Sequence, residues 1–213
     1  KYDYKLKLKL KRVIDSCSSK NQLVKISKEI NELEKELTLC HADACKSIGE
    51  KNNKIKIDLI GFPGQTILHR PEKGYSIQIG NAKLLSKITK ATIISNFRDN
   101  DILNGGQGAP LTPIYHQLIL SKIKSKNPSA IVNIGGISNI TYIEGNNKNV
   151  SGFDTGPGNY LIDEWVRTKT KREFDKDGLI AKLGKADEVV LNKFLDHSYY
   201  KKKFPKSLDV KDF

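Results

Sequence analysis

Two β-rich runs, Ala130–Ile134 and Ile137–Ile143, meet at Gly135-Gly136, and this junction constrains the fold more than any other feature of the chain. Two such runs around a glycine pair read as a tight antiparallel hairpin. A second turn is expected at Asn146–Asn149. A third run, Val150–Phe153, then delivers one carboxylate, Asp154, to its end. Gly-Phe-Asp-Thr-Gly-Pro-Gly-Asn spans Gly152–Asn159 and predicts a glycine-rich turn, followed by a helix over Leu161–Val166. Gly156 and Gly158 would let backbone approach a ligand, and Pro157 stiffens the turn. An acid at a strand end beside bare backbone suits a general base facing a polar substrate. An Asx-type turn, with Asp154 bonding its own backbone, fits the same residues.

The rest of the chain alternates helix and strand. Residues 1–50 read as helical, because Val24, Ile26, Ile30, Leu33 and Leu37 recur at a period of roughly 3.6 residues. Glu29, Glu32, Glu34 and Glu36 alternate with Lys28 and Lys35 on the other side, which supports a helix. Lys51–Lys54 is a polar connector. Ile55–Ile60 reads as a strand ending at Gly61-Phe62-Pro63-Gly64, Tyr75–Ile79 as a short strand and Asn81–Thr89 as a helix. Thr92–Ser95 is a further strand, residues 100–113 a loop, and Ile114–Lys124 a helix. Glu188–Tyr199 is helical, with a basic loop through Lys206 behind it. The mixture predicts an α/β fold divided near Asn127, residues 1–127 in one domain and 128–213 in the next.

Charge and cysteine content narrow the function classes. The formal net charge is +13, nearly all lysine. Phosphate recognition favours arginine forks, and single-strand binding wants interleaved aromatics. Neither pattern is present, so a solvated lysine-rich face is expected rather than a nucleic-acid site. Cys17, Cys40 and Cys45 lack metal-ligand spacing and are expected to be reduced thiols. No stretch approaches the ~20 apolar residues of a membrane span. The opening Lys-Tyr-Asp-Tyr is not a signal peptide, and a cytoplasmic protein is expected. The chain contains no Met, from which a missing N-terminal piece is expected.

Four polar or glycine-rich segments each follow a strand-like run: Gly64-Gln65-Thr66, Asn96-Phe97-Arg98, Asn133–Asn139 and Asp154–Asn159. In open α/β sheets ligands gather at strand carboxyl ends. Gln65 and Thr66 offer amide and hydroxyl groups to a sugar. Arg98 offers a fork for a carboxylate or phosphate, or a salt bridge to Asp99 or Asp101. Gly135 and Gly136 offer backbone N–H groups to phosphate oxygens, or only a plain hairpin. His69, placed in a loop, and His116, at a helix start, read as ordinary polar contacts. No Walker-type phosphate loop and no Ser/His/Asp or Cys/His set stands out.

Taken in order, these stretches resemble the anhydro-N-acetylmuramic acid kinases. The resemblance rests on Gly64-Gln65-Thr66 with His69 and Pro71, on Phe97-Arg98 with Asp101, and on Gly105–Leu111 with Pro113 and His116. It also rests on Asn133–Ile137 with Asn139-Ile140-Thr141, and on Gly152–Asn159 with Asp163 and Trp165. It runs to Lys206-Ser207 and Phe213. It implies an actin/hexokinase-like (ribonuclease H-like) kinase fold, most of a first domain plus the start of a second. It further implies a cytoplasmic, usually dimeric enzyme of peptidoglycan recycling. That enzyme would hydrolyse the 1,6-anhydro bond of anhydro-N-acetylmuramic acid and phosphorylate O6, using ATP and Mg2+.

Asp154 would then be the base that activates water. Gln65, Thr66, Arg98, Gly156 and Asn159 would contact the sugar, and Gly135, Gly136 and Asn139 the nucleotide phosphates; no metal ligand is assigned. Pro63, Asn96 and Val210 depart from the residues usual in that family, His, Asp and Arg. The family's first phosphate loop and its adenosine region have no counterpart in these 213 residues, so no turnover is expected from them alone. A non-catalytic sugar-binding relative and a basic nucleic-acid module are the competing readings.

Overall fold

Leu6, Leu10, Val13 and Cys17 form one apolar stripe at helical spacing. In the computed structural model, which describes residues 2–52, 55–124, 126, 128–145 and 149–209, that stripe is the buried face of helix α1 (Tyr4–Ser16), with Cys17 at its C-cap. Asp3 caps the helix, its carboxylate accepting the Leu6 N–H at 2.7 Å. A short helix α2 (Lys20–Lys25) leads to α3 (Ser27–Lys51), whose Leu33 and Leu37 pack on the stripe. Ile26 and Ile30 join the cluster as expected, whereas Val24 is exposed.

Strand β1 is only Leu59–Gly61, shorter than the expected Ile55–Ile60. The hairpin of β2 (Gln65–Arg70) and β3 (Tyr75–Ile79) closes the first core with Ile67 and Ile79. Helix α4 (Ala82–Thr89) and β4 (Thr92–Ile94) follow, and β4 pairs parallel with β1. Two polar side chains of α3 latch the start of α4. Glu34 accepts the Gly80 N–H and Thr38 Oγ1 accepts the Asn81 N–H, both at 3.0 Å. Asn81 in turn caps α4 by accepting the Leu84 N–H.

Three expectations are corrected here. Gln65 and Thr66 are strand residues, not loop, and so is His69. The expected loop over residues 100–113 begins as helix α5 (Asp99–Leu103), ended by Gly105 at φ 83. Glycine takes that left-handed conformation without cost, so the glycine-rich composition marks the helix end rather than its absence. Among the described residues of Lys51–Lys54, Lys51 still belongs to α3. Asn53 and Lys54 lie outside the described residues.

By contact the chain divides into two units, Lys1–Gly108 and Ala109–Phe213. Asn127, the expected boundary, lies outside the described residues. In the second unit, α6 (Pro113–Lys122) packs on an antiparallel sheet in the order β5 (Ser129–Ile134), β6 (Ile137–Glu144), β7 (Asn149–Pro157). The hairpin at Gly135-Gly136 is present. His116 on α6 shares a hydrogen bond of 2.7 Å with the buried Thr141 hydroxyl on β6. Gly152 on β7 faces Pro113 so closely that a Cβ there would overlap the proline ring. The turn expected at Asn146–Asn149 lies outside the described residues except for Asn149.

β7 continues through Asp154 to Pro157 and runs into α7 (Asn159–Lys169), so the glycine-rich turn expected at Gly152–Asn159 is strand followed directly by helix. The expected helix Leu161–Val166 lies within α7. Helix α8 (Glu188–Leu195) and a 3-10 turn at Ser198–Lys201 follow, and the described chain runs on to Asp209. Cys17, Cys40 and Cys45 are free thiols. Among the described residues no helix is long and apolar enough to cross a membrane.

One titratable contact in the first unit gives a pH prediction. The Tyr2 hydroxyl lies 2.8 Å from His41 Nε2, and the His41 ring meets Phe62 edge-on. Burial lowers the His41 pKa from its ordinary 6.5, so the unfolded chain binds this proton more readily than the folded one. The stability from neutral His41 is present above pH 6.5 and is lost as pH falls towards the folded value. Thermal melts below about pH 6.5 should decline with acid, and the slope should be shallower in His41→Asn.

Candidate active site

The β5–β7 register places three polar residues in one row. Asn133 pairs with Asn139, and Asn139 pairs with Asp154. Cross-strand partners share a face of the sheet, so two neutral amides stand beside one carboxylate. The row depends on a β-bulge. Ser138 pairs with Gly156 and Asn139 with Asp154, leaving Thr155 as the extra residue. The Thr155 hydroxyl donates to the Ser138 carbonyl at 3.1 Å and fixes the bulge.

Asp154 is 5% exposed and is held from a distant part of the chain. Its N–H donates to the Lys206 carbonyl at 3.0 Å. Its carbonyl accepts the Tyr199 hydroxyl at 2.6 Å. Its Oδ2 accepts the Leu208 N–H at 2.9 Å. That carboxylate bond reaches across 54 residues and is not the local contact of an Asx turn. Tyr200 lies over Gly156, where a Cβ would sit 3.2 Å from its ring and hydroxyl. Burial raises the Tyr200 phenol above its ordinary 10.0.

The hairpin turn also has a partner within the protein. The Gly135 carbonyl accepts the Asn159 N–H at 2.7 Å, and the Gly136 carbonyl accepts those of Gly158 and Tyr160 at 2.9 and 3.2 Å. The first amides of α7, which a helix end otherwise leaves orphaned, are thus satisfied by the hairpin. The Gly135 N–H donates to the Ile137 carbonyl at 3.2 Å, inside the turn. The close approaches allowed by Gly156 and Gly158 are therefore filled by Tyr200 and by the Gly135 carbonyl.

Gln65, Thr66 and Arg98 belong to the first unit. A bulge at Ile67 between β2 and β3 pairs Thr66 with Gln78 and His69 with Ser76. Gln78 Nε2 donates to the Thr66 hydroxyl at 3.2 Å and to Ser76 Oγ at 2.6 Å. The same Ser76 hydroxyl shares a hydrogen bond of 2.9 Å with His69 Nδ1. Gln65 Nε2 reaches the Thr66 carbonyl at 3.3 Å. Arg98 donates to the Gly108 carbonyl at 2.7 Å, while Asp101 Oδ2 accepts the Gly108 N–H at 2.7 Å. Arginine and aspartate so grip both sides of Gly108. Asn96 has φ 58, a conformation that Asn adopts readily.

The family model for anhydro-N-acetylmuramic acid kinase matches residues 2–213. The chain belongs to the anhydro-N-acetylmuramic acid kinase family. Its mixed α/β topology is that of the family's actin/hexokinase-like fold. A curated anhydro-N-acetylmuramic acid kinase of Pelagibacter ubique is 45% identical over 217 residues, covering 100% of this chain and 57% of the relative. One of Rhizobium etli is 39% identical over 215 residues, covering 100% of this chain and 58% of the relative. One of Methylobacterium nodulans is 42% identical over 186 residues, covering 86% and 50%. The chain therefore spans little more than half the length of the curated relatives it matches.

Within the family match, sequence reasoning named Asp154 and Asn139 but missed the clasp of Tyr199, Lys206 and Leu208 and the Gln78 relay beneath Thr66. In the sequence the clasp is signalled only by the aromatic pair Tyr199-Tyr200 at the head of the lysine-rich Lys201–Lys206. Val210 and Phe213 lie outside the described residues.

Proposed function

We propose that this chain carries the base-bearing and sugar-contacting parts of a kinase that opens the 1,6-anhydro ring of anhydro-N-acetylmuramic acid and phosphorylates O6. The observation that carries the reading is the buried Asp154 carboxylate, fixed by Leu208 and aligned with Asn133 and Asn139. In this reading Asp154 takes a proton from water as that water bonds to the anomeric carbon. The C1–O6 bond breaks, on the pattern of inverting glycoside hydrolysis. ATP, accompanied by Mg2+, supplies the phosphoryl group that O6 takes up.

Asn139 fits a phosphate oxygen through its side-chain amide, beside Asp154 in the row. Gly135 and Gly136 shape the hairpin near it, though the Gly135 N–H is engaged inside the turn. No metal ligand is assigned; Mg2+ would accompany the nucleotide, offsetting the triphosphate charge during transfer. In the first unit Gln65, Thr66 and Arg98 would contact the sugar; in the second Asn159 would do so through its side chain, its N–H being taken by Gly135, and Gly156, covered by Tyr200, through its backbone alone. A cytoplasmic, homodimeric enzyme of peptidoglycan recycling completes the reading, with no nucleic-acid or membrane partner.

The test is ADP release by the full natural chain, dependent on the anhydro-sugar. Binding of the sugar by calorimetry without ADP release would favour the non-catalytic relative instead. Thr66→Val removes the proposed sugar contact while keeping a β-branched strand residue. KM for the sugar should rise roughly tenfold, the effect of one hydrogen bond, with kcat little changed. Steady-state kinetics read both, and an unchanged KM would remove Thr66 from the site.

A further inference from the structure

The segment Tyr199–Leu208 does more to Asp154 than cover it. On β7 the Asp154 N–H and carbonyl are taken by this segment, through Lys206 and Tyr199. An exposed strand edge leaves such groups to water; here both are bonded inside the protein. The third bond, from the Leu208 N–H, goes to the carboxylate itself. Main chain and side chain of the same residue are thereby fixed from one strap.

The strap is itself braced. Tyr199 is 1% exposed. The Lys206 ammonium donates to the Tyr199 carbonyl at 3.2 Å and lies 4.6 Å from the centre of its ring. Lys202 approaches the same ring at 5.5 Å. Leu208 is buried, so its backbone is packed in place when it meets Oδ2. A base is effective only when its oxygen is held in the productive direction, and loose support is costly in rate.

We infer that Tyr199 and the Leu208 amide are positioning groups for the Asp154 base, and that the Tyr199–Leu208 strap sets the orientation of its carboxylate. The inference rests on the reading of Asp154 as the base. Neither group contacts the substrate in this scheme; each acts through Asp154.

The test uses the full natural chain. Tyr199→Phe removes one hydroxyl and keeps the ring. It should lower kcat on the order of ten- to a hundredfold while the sugar KM stays within about twofold. In an Asp154→Asn background the same change should cause no further loss, because the group it positions is gone. Exchange of Leu208 for its α-hydroxy acid turns that amide into an ester, deleting the N–H and otherwise only weakening the Ser207 carbonyl as an acceptor, and should also lower kcat selectively. This second variant decides the matter if Tyr199→Phe fails to fold.

Unchanged kcat in both variants, or a loss that simply adds to that of Asp154→Asn, overturns the inference and leaves the base assignment standing. Near-normal kcat in Asp154→Asn alone overturns the base assignment, and the inference with it.

Discussion

Asp154→Asn in the full natural chain is expected to lower kcat by on the order of a thousandfold or more, near the upper range for loss of a general base. Asparagine keeps the shape and one carbonyl oxygen, so the Leu208 N–H retains an acceptor. The backbone bonds to Lys206 and Tyr199 do not involve the side chain at all. Folding should therefore be nearly untouched, and thermal melts of the two proteins should coincide within a few degrees. The sugar should still bind, which calorimetry can read separately from turnover. Near-normal kcat in a well-folded Asp154→Asn protein would remove Asp154 from the chemistry and return the site to an ordinary buried acid.

Gly158→Ala should have the largest effect on folding. A Cβ at this position would overlap the Gly135 carbonyl oxygen, and the Gly136 carbonyl would lie 3.3 Å away. Both are backbone atoms, so no side-chain rotation relieves the overlap. The hairpin and the start of α7 must separate, weakening the N–H bonds from Gly158, Asn159 and Tyr160. A destabilisation of roughly 2–3 kcal/mol is expected, in the upper part of the range for overpacking. Gly184→Ala is the control, since its nearest neighbour is the Ala181 carbonyl oxygen at 3.7 Å, an ordinary contact. Denaturant midpoints compare the two, and equal midpoints would show that the α7 start yields without cost.

The β5–β6 hairpin was legible because two β-rich runs flank a glycine pair, although neither glycine has a positive φ and a Cβ at either would meet only ordinary contacts. The core face of α3 was legible because Ile26, Ile30, Leu33 and Leu37 repeat at the helical period. Asp154 was legible as a strand-end acid, though the strand runs three residues past it. The bulges at Ile67 and Thr155 were not legible, since a bulge is decided by register across strands and not by local composition. Those two irregularities settle which side chains share a face: Thr66 with His69, and Asp154 with Asn139. The Tyr199–Leu208 strap was hidden for a related reason. Two of its three bonds to Asp154 come from backbone, and backbone groups carry no letter in the sequence.

The Lys206 carbonyl and the Leu208 N–H exist whatever codons stand at those positions, so most missense changes there leave the bonds chemically possible. Only changes that reroute the chain, a proline at 208 or an inserted or deleted residue between 199 and 208, erase them outright. For these two bonds the identity of residues 206 and 208 is therefore free, whereas the length of the segment is not, and position 199 needs its phenol.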